Sequence, residues 1–205
     1  MGNKYYAERR GKVTGIFDKR DKCKDCVSGY PNAEYKSFAS EADAIAYLDG
    51  ETAAEKTSSG ERPTPEKDCA IAYVDGSYKE KTGEFSYGAV LFIGNEMLEF
   101  SEAFYNEKVS EMRNVAGELK GAMVVMLYCV KNGIKHLEIH YDYEGIEKWC
   151  TGAWKRNKTG TVEYKKYCDF IKTKLDITFV KGKGHSGDTY NERADRLAKK
   201  ALGIE

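Results

Sequence analysis

Two kinds of pattern alternate along this chain. Short runs rich in aromatic and β-branched residues read as strands. Longer stretches with apolar positions at helical spacing read as helices. KYYAERR (4–10) and VTGIF (13–17), joined by a Gly-Lys turn, predict two strands. Residues 18–28 are polar with helix-like spacing, and AEYKSF (33–38) predicts a third strand. Ser40 is placed to cap a helix over EADAIAYLD (41–49), with Asp43 three residues on, close to a capping box. The order is β-β-α-β-α, a module whose small core makes it marginal by itself.

From Asp68 onward the pattern starts again. CAIAYVDG (69–76), FSYGAVLFIG (85–94) and MLEFSEAFY (97–105) predict three strands, with connections short enough to make them antiparallel neighbours. Val115, Leu119, Met123, Val124 and Leu127 recur at helical spacing and predict a long helix over 113–131. HLEIHYD (136–142) and ITFVKGKG (177–184) predict a fourth and a fifth strand. Helices are predicted at 144–151 and 161–174, and finally over ERADRLAKKAL (192–202). Three strands followed by alternating helices and strands predict an α/β fold, a mixed five-stranded sheet flanked by helices. Between the two segments, GETAAEKTSSGERPTPEKD (50–68) has two of the chain's three prolines and no bulky apolar residue. Such a stretch cannot bury enough surface to fold alone and predicts a flexible linker. The division is therefore 1–49, a linker at 50–68, and 69–205.

Composition adds a boundary and charge adds a partner. The chain has 205 residues, 32% charged and 41% hydrophobic, and a formal net charge of zero. That sum hides two basic regions. Residues 1–36 hold nine Lys/Arg against five Asp/Glu, and residues 148–200 hold fourteen against six. Local basic surface is what attracts phosphates. No apolar run is long enough for a membrane span, and MGNKYYAERRGK lacks the apolar core of a signal peptide, so the reading is a cytoplasmic protein. In a reducing cytosol its six cysteines are free thiols. Cys23 and Cys26 form a CxxC with no second pair at zinc spacing, and read as helix-face cysteines. No long apolar seam is left over, which favours a monomer.

Four acids stand out by placement. Asp75 is expected to end the first strand of the second segment, and Asp142 the fourth. Glu118 lies about one turn into the long helix, and Asp195 in the last helix. Each has an ordinary reading alone. Asp75 before Gly-Ser fits an Asx turn. Asp142 suits a helix start. Glu118 fits a solvated helix face, and Asp195 fits an ion pair with Arg196 or Lys199. Together they converge on one rim of such a sheet, where ligands gather. Carboxylates brought together repel unless cations bind between them, and oxygen ligands select Mg²⁺ or Mn²⁺. His185 lies in a Gly-rich basic loop, VKGKGHSGDTYNERADRLAKK, and is the one histidine of three in polar, flexible surroundings, suited to proton relay. His136 and His140 flank a strand and read as structural.

YVDGS (73–77), NVAGEL (114–119), HYD (140–142) and GHSGDTYNERADRLA (184–198) stand in this order and spacing. On these signatures residues 69–203 resemble type 1 ribonucleases H. The resemblance implies a two-metal endonuclease that cuts the RNA strand of RNA–DNA hybrids and leaves 5′-phosphate and 3′-hydroxyl ends. It implies two Mg²⁺ ions, with Mn²⁺ an alternative, held by Asp75, Glu118, Asp142 and Asp195. It implies a catalytic role for His185 and minor-groove reading by Asn114. YYAERRGKVTGIF (5–17) and GYPNAEYKSFAS (29–40) resemble the hybrid-binding domain that precedes many eukaryotic type 1 enzymes. That resemblance implies duplex contacts by Tyr6, Tyr35, Lys36 and Ser37, to RNA–DNA hybrid and also to double-stranded RNA. A tethered module of this kind raises the local concentration of substrate, and its loss should weaken binding and spare the chemistry.

Three positions depart from the pattern. Arg20 stands where the N-terminal domain usually has a tryptophan, which removes a stacking surface. Tyr143 follows the metal-site Asp142 where serine is usual. The basic protrusion is shortened to WCTGAWKRNKTGT (149–161), in which Trp149, Trp154 and Lys155 still offer stacking and phosphate contact to the DNA strand. Two other readings stand beside this one: another nuclease or nucleotidyl transferase on the same sheet, and a hybrid-binding module with an inert catalytic half.

Overall fold

The computed structural model describes residues 4–49, 63–105, 111–182 and 189–204. The first segment folds as β1 (Tyr5–Arg10), β2 (Thr14–Phe17), α1 (Arg20–Val27), β3 (Glu34–Phe38) and α2 (Glu41–Asp49). The Ser40 hydroxyl accepts the Asp43 amide at 3.2 Å, which caps α2 as its sequence indicates. The second segment folds as β4 (Cys69–Lys79), β5 (Glu84–Ile93), β6 (Glu96–Phe104), α3 (Asn114–Lys131), β7 (His136–Tyr141), α4 (Gly145–Thr151), α5 (Thr159–Ile171), β8 (Asp176–Lys181) and α6 (Thr189–Ala201). Most of the predicted linker, and all of the loop holding His185, lie outside the described residues.

The five strands of the second segment run in the order β6-β5-β4-β7-β8. β4, β5 and β6 are antiparallel neighbours, while β7 lies parallel to both β4 and β8. This is the mixed sheet that the strand pattern predicts. Helix α3 covers one face, with α4 and α5 beside it, and α6 covers the other.

The sheet does not end there. β2 pairs antiparallel with the outer edge of β6, with Thr14 opposite Glu99 and Ile16 opposite Met97. The order becomes β3-β1-β2-β6-β5-β4-β7-β8, one sheet of eight strands. Both cores cross the junction. Phe17 and Cys23 join Leu98, Leu119 and Met126 on the α3 face. Ile16, Ala44 and Leu48 join Val90, Met97 and Ala194 on the α6 face. The small first segment thus borrows core from the second, which relieves the marginality expected of it alone.

Candidate active site and nucleic-acid surfaces

Asp75 does not end its strand, as the sequence reading supposed. β4 continues to Lys79. What ends near Asp75 is the pairing with β7, which runs from Cys69 opposite His136 to Tyr73 opposite His140. Beyond it β4 is paired only with β5, which leaves its Asp75 side without a strand neighbour. Asp142 follows the last residue of β7 and lies beside Asp75. Glu118 joins them from the second turn of α3.

Small residues let the helices come this close. A Cβ on Gly76 would fall 2.3 Å from the Asn114 carbonyl oxygen of α3. Gly88, opposite Asp75 on β5, lies against α6, where a Cβ would fall 1.9 Å from the Ala194 carbonyl oxygen. Any larger residue at either position would push a helix, and its carboxylate, off the sheet.

Asp75, Glu118 and Asp142 each present an atom within 4.8 Å of the others. Asp75 Oδ1 accepts the Gly76 amide at 2.7 Å, and Glu118 Oε1 accepts Asn114 Nδ2 at 3.2 Å. Glu118 is 2% exposed, and its Oε2 is buried without a partner. Burial pushes the Asp75 carboxyl up to about 7, with the charges of Asp142 and Asp195 adding to the rise and the Gly76 amide opposing it. Burial likewise raises Glu118 to about 9, reinforced by Asp142 and Asp75. Three oxygen donors that repel one another, one with an orphaned buried oxygen, suit a hard divalent cation. Asp195 stands next to this group rather than in it. It acts on Asp75 through its charge, and its Oδ2 accepts Lys199 Nζ at 2.7 Å.

Trp149, Trp154 and Tyr143 form a mutual aromatic cluster, with ring centroids 5.6–6.2 Å apart. Trp149 Nε1 donates to the Lys155 carbonyl at 3.3 Å. Trp149, Lys155 and Tyr143 line an open cavity of about 320 Å³ together with Glu111, Asn157 and Lys158. Tyr143, which breaks the expected pattern, therefore lines this basic cavity, and its phenol feels the charge of Glu118.

In the first segment Tyr6, Tyr35, Lys36 and Ser37 line one open cavity of about 540 Å³. Arg20 lines it too, as do Lys4 and Lys24, which lie outside the segments that carry the resemblance. The signal for those two was the local excess of basic residues.

A mixed sheet in this strand order, with carboxylates gathered at its centre, defines a hydrolase of the ribonuclease-H-like class. The profile described as RNase H matches residues 67–203, and that described as Ribonuclease H1 N-terminal domain matches residues 4–48. Ribonuclease H of Chlorobium phaeobacteroides is 31% identical over 142 residues, covering 64% of this chain and 94% of that protein. The RNase H1 of Halobacterium salinarum, a solved structure, superimposes with a TM-score of 0.53 at 25% identity, over 67% of this chain and 99% of that one. LC11-RNase H1, solved in complex with an RNA/DNA hybrid, shares the fold with a TM-score of 0.52 at 20% identity, over 65% and 99%. This chain belongs to the RNase H family, whose members are endoribonucleases dependent on divalent metal. Among the described residues no helix is long and apolar enough to cross a membrane.

Proposed function

We propose that this chain cuts the RNA strand of RNA–DNA hybrids internally, leaving 5′-phosphate and 3′-hydroxyl ends. The observation that carries the reading is the convergence of Asp75, Glu118 and Asp142 around the unpartnered Glu118 Oε2. Asp75, Glu118 and Asp142, with Asp195 beside them, would hold two Mg²⁺ ions, with Mn²⁺ able to replace them. Bound there, the ions supply Lewis acidity to the attacking and the leaving oxygens of the phosphodiester.

The chain's own groups do the rest. Asn114, fixed to Glu118, is at hand for the minor groove of a duplex lying across α3. Trp149 and Trp154 offer faces for stacking, and Lys155 a phosphate contact, for the DNA strand. The cavity lined by Tyr6, Tyr35, Lys36 and Ser37 binds the same duplex through phosphates and 2′-hydroxyls, and accepts double-stranded RNA by the same chemistry. His185 assists proton movement as product leaves. The segments 1–49 and 69–205 divide these tasks into grip and cutting.

The test is cleavage of an end-labelled hybrid with Mg²⁺, beside RNA–RNA and DNA–DNA duplexes and an Asp75→Asn control. Internal cuts in the RNA of the hybrid alone, lost in the control, support the reading. Bound but uncut hybrid would move the chain to a binding role, and attack from strand ends would make it an exonuclease.

A further inference from the structure

Arg193 lies on α6, two residues before Asp195, yet it is turned away from solvent and is only 5% exposed. Its Nε donates to Glu99 of β6, itself 7% exposed. Its NH1 donates to Asp49, at 2.9 Å from Oδ1 and 3.0 Å from Oδ2. Asp49 is the last residue of α2 and belongs to the first segment. A buried guanidinium is tolerated only when its charge and donors are met, and losing one partner of such a group is strongly destabilising.

The surroundings make this more than a surface contact. Thr14 Oγ1 donates to the Glu99 carbonyl at 3.2 Å, so β2 holds the strand that carries the other carboxylate. Gly15 runs so close to β6 that a Cβ would lie 2.3 Å from the Met97 carbonyl oxygen. Ala44 and Leu48 of α2 share a core with Tyr190 and Ala194 of α6. On the opposite face Lys22 of α1 pairs with Glu96 at 2.7 Å. Helix α6 is thus packed on β5 from beneath and clamped by the first segment through Arg193, two residues along the helix from Asp195, whose charge acts on Asp75.

We propose that the first segment is a fixed wall of the catalytic unit, and that Arg193 is a positioning residue through which Asp49 holds α6, and so Asp195, at the carboxylate cluster. The inference rests on the reading of Asp195 as a cation-side carboxylate. It departs from a tethered module, whose loss alters only substrate capture.

The experiment uses the full chain, with Asp49→Asn as the main variant and Arg193→Met combined with Glu99→Gln as the second, since the pair removes the buried guanidinium together with its buried carboxylate and leaves only the partly exposed Asp49 without its cation. Amide hydrogen exchange is read across α6 and α3 in the metal-free protein. Mg²⁺ binding is read by calorimetry, and kcat and KM are read on hybrid. For Asp49→Asn, exchange in α6 should rise about tenfold while α3 stays within twofold, corresponding to ~1.4 kcal/mol of local opening. Mg²⁺ binding should weaken severalfold, and kcat should fall with KM for hybrid little changed. Unchanged α6 exchange and Mg²⁺ binding in both variants would overturn the proposal, as would a change in KM alone. An equal rise in α3 and α6 would also overturn it, because it would show general loss of stability rather than positioning. If the unaltered chain fails to cut hybrid, the proposed function falls. The exchange comparison still decides whether Asp49 holds α6.

Discussion

Asp195 and Lys199 form an ion pair across one turn of α6, with Nζ 2.7 Å from Oδ2. The same ammonium lowers the proton affinity of Asp75. Lys199 therefore supplies part of the positive charge that the carboxylates call for, and a cation entering on the Asp195 side competes with it. Because the pair is partly exposed, the competition is worth about 0.5–1 kcal/mol. Lys199→Gln should tighten Mg²⁺ binding to the unliganded protein about two- to fivefold, measured by calorimetry. Weaker binding in the variant would show that Lys199 supports the site instead.

Glu118 sets activity against stability. Its Oε2 is buried without a partner, and burial raises its pKa to about 9. Glu118→Gln keeps the shape and removes the charge. Cleavage of hybrid should fall by about a thousandfold or more, on the scale of losing a principal electrostatic contribution at a metal site. The metal-free variant should nevertheless melt several degrees higher at pH 8, because folding no longer has to protonate a carboxyl that is ionised in the unfolded chain at that pH. Thermal melts with and without Mg²⁺, run beside cleavage assays, check both halves. A lower melting temperature without metal would contradict the electrostatic account.

The pH dependence of the metal-free chain follows from the same groups. Asp75 and Glu118 bind protons more tightly folded than unfolded, with folded values of about 7 and about 9. The folded state then carries the extra protons, so their contribution to stability is full below the usual carboxylate range and is lost as pH rises. For Asp75 the loss runs from about pH 4 to 7, and for Glu118 it continues to about 9. The shift at Asp75 alone corresponds to at most ~4 kcal/mol. Urea unfolding at pH 5 and pH 8 should show a fall for the native chain that is much reduced in Asp75→Asn/Glu118→Gln. Saturating Mg²⁺ should also flatten it.

What was legible in the sequence was local. Each strand and helix announced itself by its own periodicity, and Ser40 and Asp43 marked the start of α2. The placement of Asp142 at the end of the fourth strand and of Glu118 in α3 followed from those elements, although the strand closes one residue earlier, at Tyr141. Asp75 was read as a strand end because Gly76 and Ser77 look like a turn. In the structure they stay in β4, since β5 still pairs with them where β7 has left. The junction of β2 with β6 left almost no trace. Edge pairing uses backbone groups that every strand owns, and a pattern of apolar residues does not reveal which edge it will meet. Arg193 was invisible for a related reason. It sits among charged residues on a polar-looking helix, and its burial depends on Asp49, which is distant in sequence.

The cavity of the first segment should grip duplex chiefly through charge. Arg20, Lys4, Lys24 and Lys36 line it beside Tyr6 and Tyr35. Arg20→Ala should weaken hybrid binding at low salt and make the salt dependence shallower by about one phosphate contact. Tyr35→Ala should weaken binding by a similar amount with no change in salt slope, because Tyr35 is 55% exposed and uncharged. Filter binding across a salt series separates the two. Equal slopes for all three proteins would place Arg20 off the phosphates.

A chain beginning at residue 63 makes the last case. It would lose β2 and so expose the backbone of β6 from Met97 to Glu99. It would also uncover Met97, Val90 and Phe92, which are fully buried in the whole chain beside Ile16 and α2. An open edge strand next to apolar surface is a template for self-association. The truncated chain should therefore scatter light at concentrations where the whole chain does not, and should melt lower. Met97→Lys placed in the truncated chain puts a charge at that edge and should restore solubility, as natural edge strands are protected. The same substitution in the whole chain should destabilise it, because there Met97 is sealed beneath the first segment. Opposite effects of one substitution in the two chains are what a docked segment requires. A truncated chain as soluble and stable as the whole one would mean that β6 never needed its cover.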